Sequence, residues 1–450
     1  MIPPDSPVRL NRVAVKRKPD TESRPTDEIA KDAIAGYPEG IAELRSVLDQ
    51  RYYDFKSGKV DALNGEAFFE HLRQRGTEFQ LRYTHRMNIL EATTQFEKWL
   101  EGEVPLVRQD LTLKHAAMAE AVFPFFRATF YRWLQLWPEM CGEVTRAPKV
   151  LGVGDLHIEN FGTWRDEEGR LIWGVNDLDE AWPAAYTLDL VRLAASAYLA
   201  IEDAHLSLTR REASEAIEEG YRDGLAAGGE AFILAEEHQW LRLLALSKLR
   251  DPVAFWKKLQ ACAPYTAKPP QEVRNLLEAA MPAPKSAYTL KKRIAGLGSL
   301  GHPRILAISS WQGALIAREA KAIRPSAWVW IKGSKTADIY GLKLVQRSVR
   351  VRDPFVTFHG RWLVRRLAPD CSRIELASLP AERDEARLLY AMGWETANMH
   401  LGTPRAVKDV RRDIAKRKNR WLHKSAKAMC KATLKDWETW RHGWKRLTKS

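Results

Sequence analysis

Between Lys149 and Glu180 short apolar runs alternate with dense polar clusters, and this restricts the segment to strands that end in loops. Val150–Val153 is an apolar run stopped by Gly154. Phe161–Trp164 and Leu171–Val175 flank Arg165–Gly169, whose charges and glycine suit a hairpin loop. The pattern predicts strand, polar loop, strand, turn, strand and an acidic end. Two polar clusters then meet at neighbouring strand ends: Asp155, His157, Glu159 and Asn160 in one, and Asn176, Asp177, Asp179 and Glu180 in the other. Carboxylate and amide oxygens so gathered are ligands for a hard cation, Mg²⁺ or Mn²⁺. The competing reading is turn capping, because Asp and Asn favour turns for local reasons.

Gly154-Asp155, with Asn160 five positions after the aspartate, resembles the catalytic loop of protein-kinase-like folds. The form GDLHIEN is closest to the aminoglycoside phosphotransferase and choline kinase branch. There a hairpin follows, then a metal-binding aspartate, the place Asp177 holds here. Tyr186-Thr187-Leu188-Asp189-Leu190 loosely fits the helix start that comes next. Together with FPFFRAT upstream (Phe123–Thr129), the segment resembles the uncharacterised bacterial proteins grouped as domain of unknown function 2252, over most of residues 80–403. The resemblance implies roles. Asp155 accepts the proton of an incoming hydroxyl, Asn160 and Asp177 hold Mg²⁺ on ATP phosphates, and Asp179 binds a second ion or orders the first. His157 orders the loop, with Asp189 as a further supporting residue.

A second constellation begins where the composition changes, at Arg293. Ile294–Gly301 is glycine-rich, and Arg304–Ile308 and Ala314–Ile323 read as strands, the latter containing Lys321. Glycines let backbone N–H groups approach phosphate oxygens without a Cβ clash, so Gly296, Gly298, Ser299 and Gly301 are candidates to cover a nucleotide's phosphates. A tight hairpin is the plainer alternative. In the resembling family a lysine stands four residues before a Pro-Ser pair, and Lys321 with Pro325-Ser326 matches, which makes Lys321 the implied phosphate lysine. One departure is plain. Kinases pair this lysine with a glutamate on the following helix, yet residues 322–352 contain no Glu, only Asp338, and Tyr340 stands where the glutamate is expected.

The expected fold is α+β: a two-lobed, protein-kinase-like arrangement, circularly permuted. Arg383–His400 reads as a helix of the kind that precedes the catalytic loop, yet that loop came some 240 residues earlier. Permutation is tolerable because termini of folded domains often lie close together. The expected organisation is a disordered arm over 1–35, helices over 36–148, a catalytic-loop lobe over 149–290, and a glycine-rich nucleotide lobe over 291–380. A returning helix over 381–403 and a basic helical tail over 404–450 complete it. Phe123–Trp137 is an aromatic stripe of core type, and Arg127 inside it needs an anionic partner, either structural or a phosphate.

Length permits one large core or two lobes. No apolar run is long enough for a membrane span, no signal-peptide core is present, and the four scattered cysteines suggest reduced thiols, so a cytoplasmic location is expected. The charge is concentrated: residues 404–450 carry 16 Lys/Arg against 4 Asp/Glu, a net of +12 out of +14. Trp437, Trp440 and Trp444 share a helix face there, so the expectation is docking by tryptophan with nonspecific polyanion contact outside. Three functions are weighed. The first is an ATP-dependent phosphotransferase acting on an unidentified hydroxyl acceptor. The second is a pseudokinase or a nucleotidyl-transferring relative. The third is a metal-dependent phosphoesterase, since Asp155-x-His157 resembles a calcineurin-like first motif, although no Gly-Asn-His follows.

Overall fold

The structure is a computed structural model and describes residues 87–447 except 204–205, 235–236, 249–250, 284–285, 335, 337 and 372–383. The readings for 1–35 and for 36–86 lie outside the described residues. All described residues fall within one packing unit, 80–450.

The first described elements are helical, as their patterns require. α1 (Ile89–Glu103) is opened by Asn88, whose side chain accepts from the Leu90 and Glu91 amides while Glu91 reaches back. α2 (Arg108–Glu120), α3 (Val122–Ala128) and α4 (Phe130–Cys141) follow, and the aromatic stripe of α3–α4 is core: Phe125, Phe126, Phe130, Tyr131, Trp133 and Trp137 are all buried. The central segment folds as its alternation predicts. β1 (Lys149–Gly152) pairs antiparallel with β4 (Trp182–Ala185). Between them β2 (Phe161–Arg165) and β3 (Leu171–Val175) form the hairpin, extended by the two-residue β5 (Phe232–Ile233).

α5 (Tyr186–Glu202) and α6 (Arg210–Ala227) come next. Thr209 caps α6 by accepting from the Glu212 amide, and Gly228 ends it in the left-handed region. Thr209→Ala should lower stability by about 1 kcal/mol, read as a small fall in the thermal midpoint. α6 crosses α12 (Glu385–His400) so closely that a Cβ on Gly220 would strike the Tyr390 carbonyl, and one on Gly393 the Ile217 carbonyl. Only glycine permits that approach.

α7 (Gln239–Lys248), α8 (Pro252–Gln260) and α9 (Gln271–Ala279) lead to a five-stranded antiparallel sheet. Its strands are β6 (Tyr288–Lys292), β7 (Arg304–Trp311), β8 (Ala314–Ala322), β9 (Thr357–His359) and β10 (Trp362–Leu367), in spatial order β6-β7-β8-β10-β9. The glycine-rich loop joins β6 to β7, and Lys321 stands near the end of β8. α10 (Ala327–Ile331) and α11 (Gly341–Arg347) link β8 to β9. α11 begins directly after Tyr340, so Asp338 stands outside the helix.

The tail is two helices, α13 (Pro404–Lys416) and α14 (Trp421–Leu447). Trp440 is buried and donates its indole N–H to the His115 carbonyl; Trp437 donates to that of Met118. The tryptophan face is therefore docked on α2 and α1, and Arg132 of α4 pairs with Asp436 at 2.7 Å. The described residues are mixed α and β. The four cysteines are free, and no described helix is long and apolar enough to cross a membrane.

Candidate functional site

β1 ends at Gly152, and the chain turns at Gly154, where φ is +84°. A Cβ there would strike the Glu180 carbonyl oxygen, so glycine is what lets the two polar clusters lie against each other. Asp189, buried near the start of α5, holds this turn. Its carboxylate accepts from the Val153 amide at 2.7 Å and the Gly154 amide at 2.8 Å. His400, the last residue of α12, lies 2.9 Å from the same carboxylate and is held in turn by the Tyr221 hydroxyl at 2.8 Å.

Asp155 follows the turn. Its side chain keeps 19% of its surface exposed, and Arg192 of α5 donates to it at 2.8 Å. Arg192 itself is fully buried, 3.7 Å from the ring centre of Phe126, and donates to that residue's carbonyl. Burial pushes the Asp155 carboxyl up to about 6, while Arg192 pulls it back. Asn160 donates its amide to the Asp155 carbonyl, and the Asn176 amide donates to the Asn160 carbonyl at 2.7 Å, which ties the first cluster to the second. His157 caps the short turn of helix at Ile158–Asn160 by accepting from the Glu159 amide, so it orders the loop. Arg127 of α3 pairs with Glu159, which gives it the structural partner that its place in an apolar stripe demands.

The acidic end of the hairpin meets the five-stranded sheet. Lys321 Nζ pairs with Asp179 and lies 3.6 Å from Asp177. The lysine therefore finds its carboxylates on the acidic loop and not at Asp338, which accepts a hydrogen bond from Tyr340 instead. Burial pushes the Asp179 carboxyl up against the pull of Lys321. Glu180 is buried and accepts from Arg324, the Ser326 hydroxyl and the Ala327 amide at the start of α10. Behind the hairpin, Glu395 of α12 accepts from the Val175 amide, and Arg350 donates to the Val175 carbonyl. Burial lifts the Glu395 carboxyl to about 7.

Two residues before Lys321 on β8, Glu319 is fully buried and is bound by Arg293, Arg304 and Arg365. Burial pushes its carboxyl up, but the three guanidiniums together hold it well below the usual range. Arg304 also donates to the Ser299 hydroxyl in the glycine-rich loop. This arginine fan fixes the loop to the sheet. In the sequence it reads only as polar residues on a strand.

Most of these groups converge on one cleft that opens to solvent. Asp155, Asn160, Asp177, Asp179 and Glu180 line it, together with Gly298, Ser299, His302 and Arg324. Phe96, Arg127, Ala128, Phe130 and Tyr131 of the helical region, with Val153, complete its lining. Gly296 and Gly301 are not in the lining: Gly301 packs on Leu111 and its carbonyl accepts from the Val107 amide. Among the described residues no group of three or more His, Cys, Asp or Glu is gathered as a metal cage. The hard donors at hand are the two aspartates and the Asn160 amide.

A family model described as "uncharacterized protein conserved in bacteria (DUF2252)" matches residues 106–253. The match takes in α2 to α7 and the whole central motif, and stops before the glycine-rich loop. No curated protein and no solved structure matches the chain.

Proposed function

We propose that this chain transfers a phosphoryl group from ATP to a hydroxyl-bearing acceptor, on a circularly permuted, protein-kinase-like arrangement. The observation that carries the reading is convergence. A glycine-rich loop between the first two strands of an antiparallel sheet meets an Asp-Asn loop and a following acidic turn in one cleft, and a buried lysine on the sheet's third strand pairs with that turn's carboxylates from behind the cleft lining. That is the set of parts phosphoryl transfer uses, because its catalysis is mostly positioning and charge neutralisation. The order of the two halves along the chain supports permutation: the Asp-Asn loop precedes the sheet, and α12 ends in His400 bound to Asp189 beneath that loop.

The donor set suits Mg²⁺ or Mn²⁺. Asp177, Asp179 and Asn160 offer hard oxygens, and a cation, the Lys321 ammonium, already sits on the two carboxylates. Mg²⁺ commonly takes one or two carboxylates and completes its shell with substrate phosphates and water, so an all-protein cage is not required. A bound Mg²⁺ would supply charge neutralisation on the transferring phosphates. Asp155 takes the acceptor's proton, and its elevated pKa suits a base at neutral pH. Arg192 holds that carboxylate in one orientation. Lys321 neutralises donor phosphate charge, for which the phosphates compete with Asp179.

The test is to incubate the purified protein with Mg²⁺-ATP and identify the products. ADP release carries the proposal; AMP with pyrophosphate would instead mark nucleotidyl transfer, and binding without turnover a pseudokinase. Asp177→Asn and Lys321→Met should each weaken Mg²⁺-ATP binding by about tenfold or more, since each removes a charge-assisted contact. Unchanged affinity in both would remove the metal and phosphate roles.

A further inference from the structure

The transfer reaction uses the acids of the cleft and Lys321, and leaves a second group of side chains there without work. His302, just after the glycine-rich loop, is 5% exposed and lines the cleft, and its Nδ1 is buried with no hydrogen-bond partner among the described residues. Arg324 is 8% exposed and lines the same cleft. Its two terminal nitrogens donate to the Pro325 carbonyl and to Glu180, while its buried Nε has no partner. Lys114 of α2 is 2% exposed and makes no ion pair among the described residues. Buried polar atoms are nearly always satisfied in folded proteins, and an unmade bond costs about 1–3 kcal/mol. His302 Nδ1, Arg324 Nε and Arg127 Nε are three such atoms on residues that line one cleft, and with Lys114 within electrostatic reach of His302 and Arg324 they form a site that lacks its acceptor.

We propose that His302, Arg324 and Lys114 form a subsite for a phosphoryl oxyanion within the cleft. Each of the three presents an N–H or ammonium group, and a phosphoryl oxyanion is the acceptor-rich, compact partner that can receive all three. The electrostatics agree. Burial, with Arg324, Lys321, Lys114 and Arg304 around it, holds His302 well below its usual pKa, so it is a neutral imidazole with one N–H. Burial likewise pushes Lys114 down, while Glu97 and Glu180 pull it back and Arg324 adds to the fall. A dianion entering among these cations relieves their mutual repulsion. The phosphoryl group belongs either to the donor nucleotide or to an acceptor that is itself phosphorylated. The subsite shares the cleft of the proposed transferase but does not depend on turnover.

The experiment titrates the full-length protein, free of metal, with inorganic phosphate and pyrophosphate. It then repeats the phosphate titration with a non-hydrolysable ATP analogue and Mg²⁺ bound. Wild type should bind phosphate, and His302→Leu and Lys114→Met should each weaken that binding by about tenfold. Both keep the Arg324–Glu180 pair, and if His302→Leu does not fold, Lys114→Met decides alone. Expulsion of phosphate by the analogue assigns the subsite to the donor; simultaneous binding assigns it to a phosphorylated acceptor. No binding by wild type up to about 10 mM, or variants that bind like wild type, overturns the subsite. Asp177→Asn should leave phosphate binding in place, so loss of the transferase reading and loss of this subsite are told apart.

Discussion

Replacing Asp155 by Asn should lower turnover by about 10²–10⁴-fold, the range a positioned general base contributes, while Mg²⁺-ATP affinity changes little. On the proposed reading the carboxylate is the base, so the active form is deprotonated. Burial holds its pKa near 6, and the rate should rise through that pH to a plateau above it. Arg192 favours the charged form, so Arg192→Met should move the rising limb to higher pH, because the pull that opposes burial is gone. Stopped-time assays across pH 5–9 on the three proteins check this. An Asp155→Asn protein that keeps wild-type turnover would take the base role away from this residue. A wild-type limb unmoved by Arg192→Met would separate the limb from Asp155.

What the chain reveals before its structure is the local part. Val150–Val153 and the hairpin strands are legible because each apolar run is short, bounded by Gly or charge, and period-appropriate. The Thr209 cap is legible for the same reason: its chemistry is complete within four residues. Lys321 stands out because its place four residues before Pro325-Ser326 matches the family the chain resembles. The partners are not legible. Arg192 lies 37 positions after Asp155 inside an apolar helix, where an arginine signals only that some anion must be near. Asp179 lies 142 positions from Lys321. A search for the lysine's carboxylate along its own neighbourhood finds Asp338, and the structure pairs Asp338 with Tyr340 instead.

The arginine fan on Glu319 and the cations beside His302 were hidden for a related reason. Arg293, Arg304 and Arg365 lie on different strands or their ends, and charged residues on strands ordinarily mark a solvated face. Only the sheet register, which sets Arg304 opposite Lys321 and Arg365 opposite Glu319, brings them onto one face. The glycines divide in a way sequence cannot foresee. Gly298 and Ser299 line the cleft, whereas Gly301 serves packing on Leu111.

Asp189→Ala should cost about 3–5 kcal/mol of stability, a large share of what a folded chain of this kind has. The carboxylate is 2% exposed and accepts three hydrogen bonds, from the amides of Val153 and Gly154 and from His400. Removing it strands two buried backbone donors and the His400–Tyr221 chain. Those amides form the turn that aims Asp155, so the fold and the proposed base share one support. Asp189→Asn keeps one carbonyl acceptor and should recover part of the stability while turnover stays depressed, because the turn is held on one side only. Urea unfolding followed by tryptophan fluorescence measures the first effect, and product formation at saturating Mg²⁺-ATP the second. A loss below about 1 kcal/mol for Asp189→Ala would mean that water or a rearranged turn satisfies those amides, and that α5 does not fix the Asp155 loop.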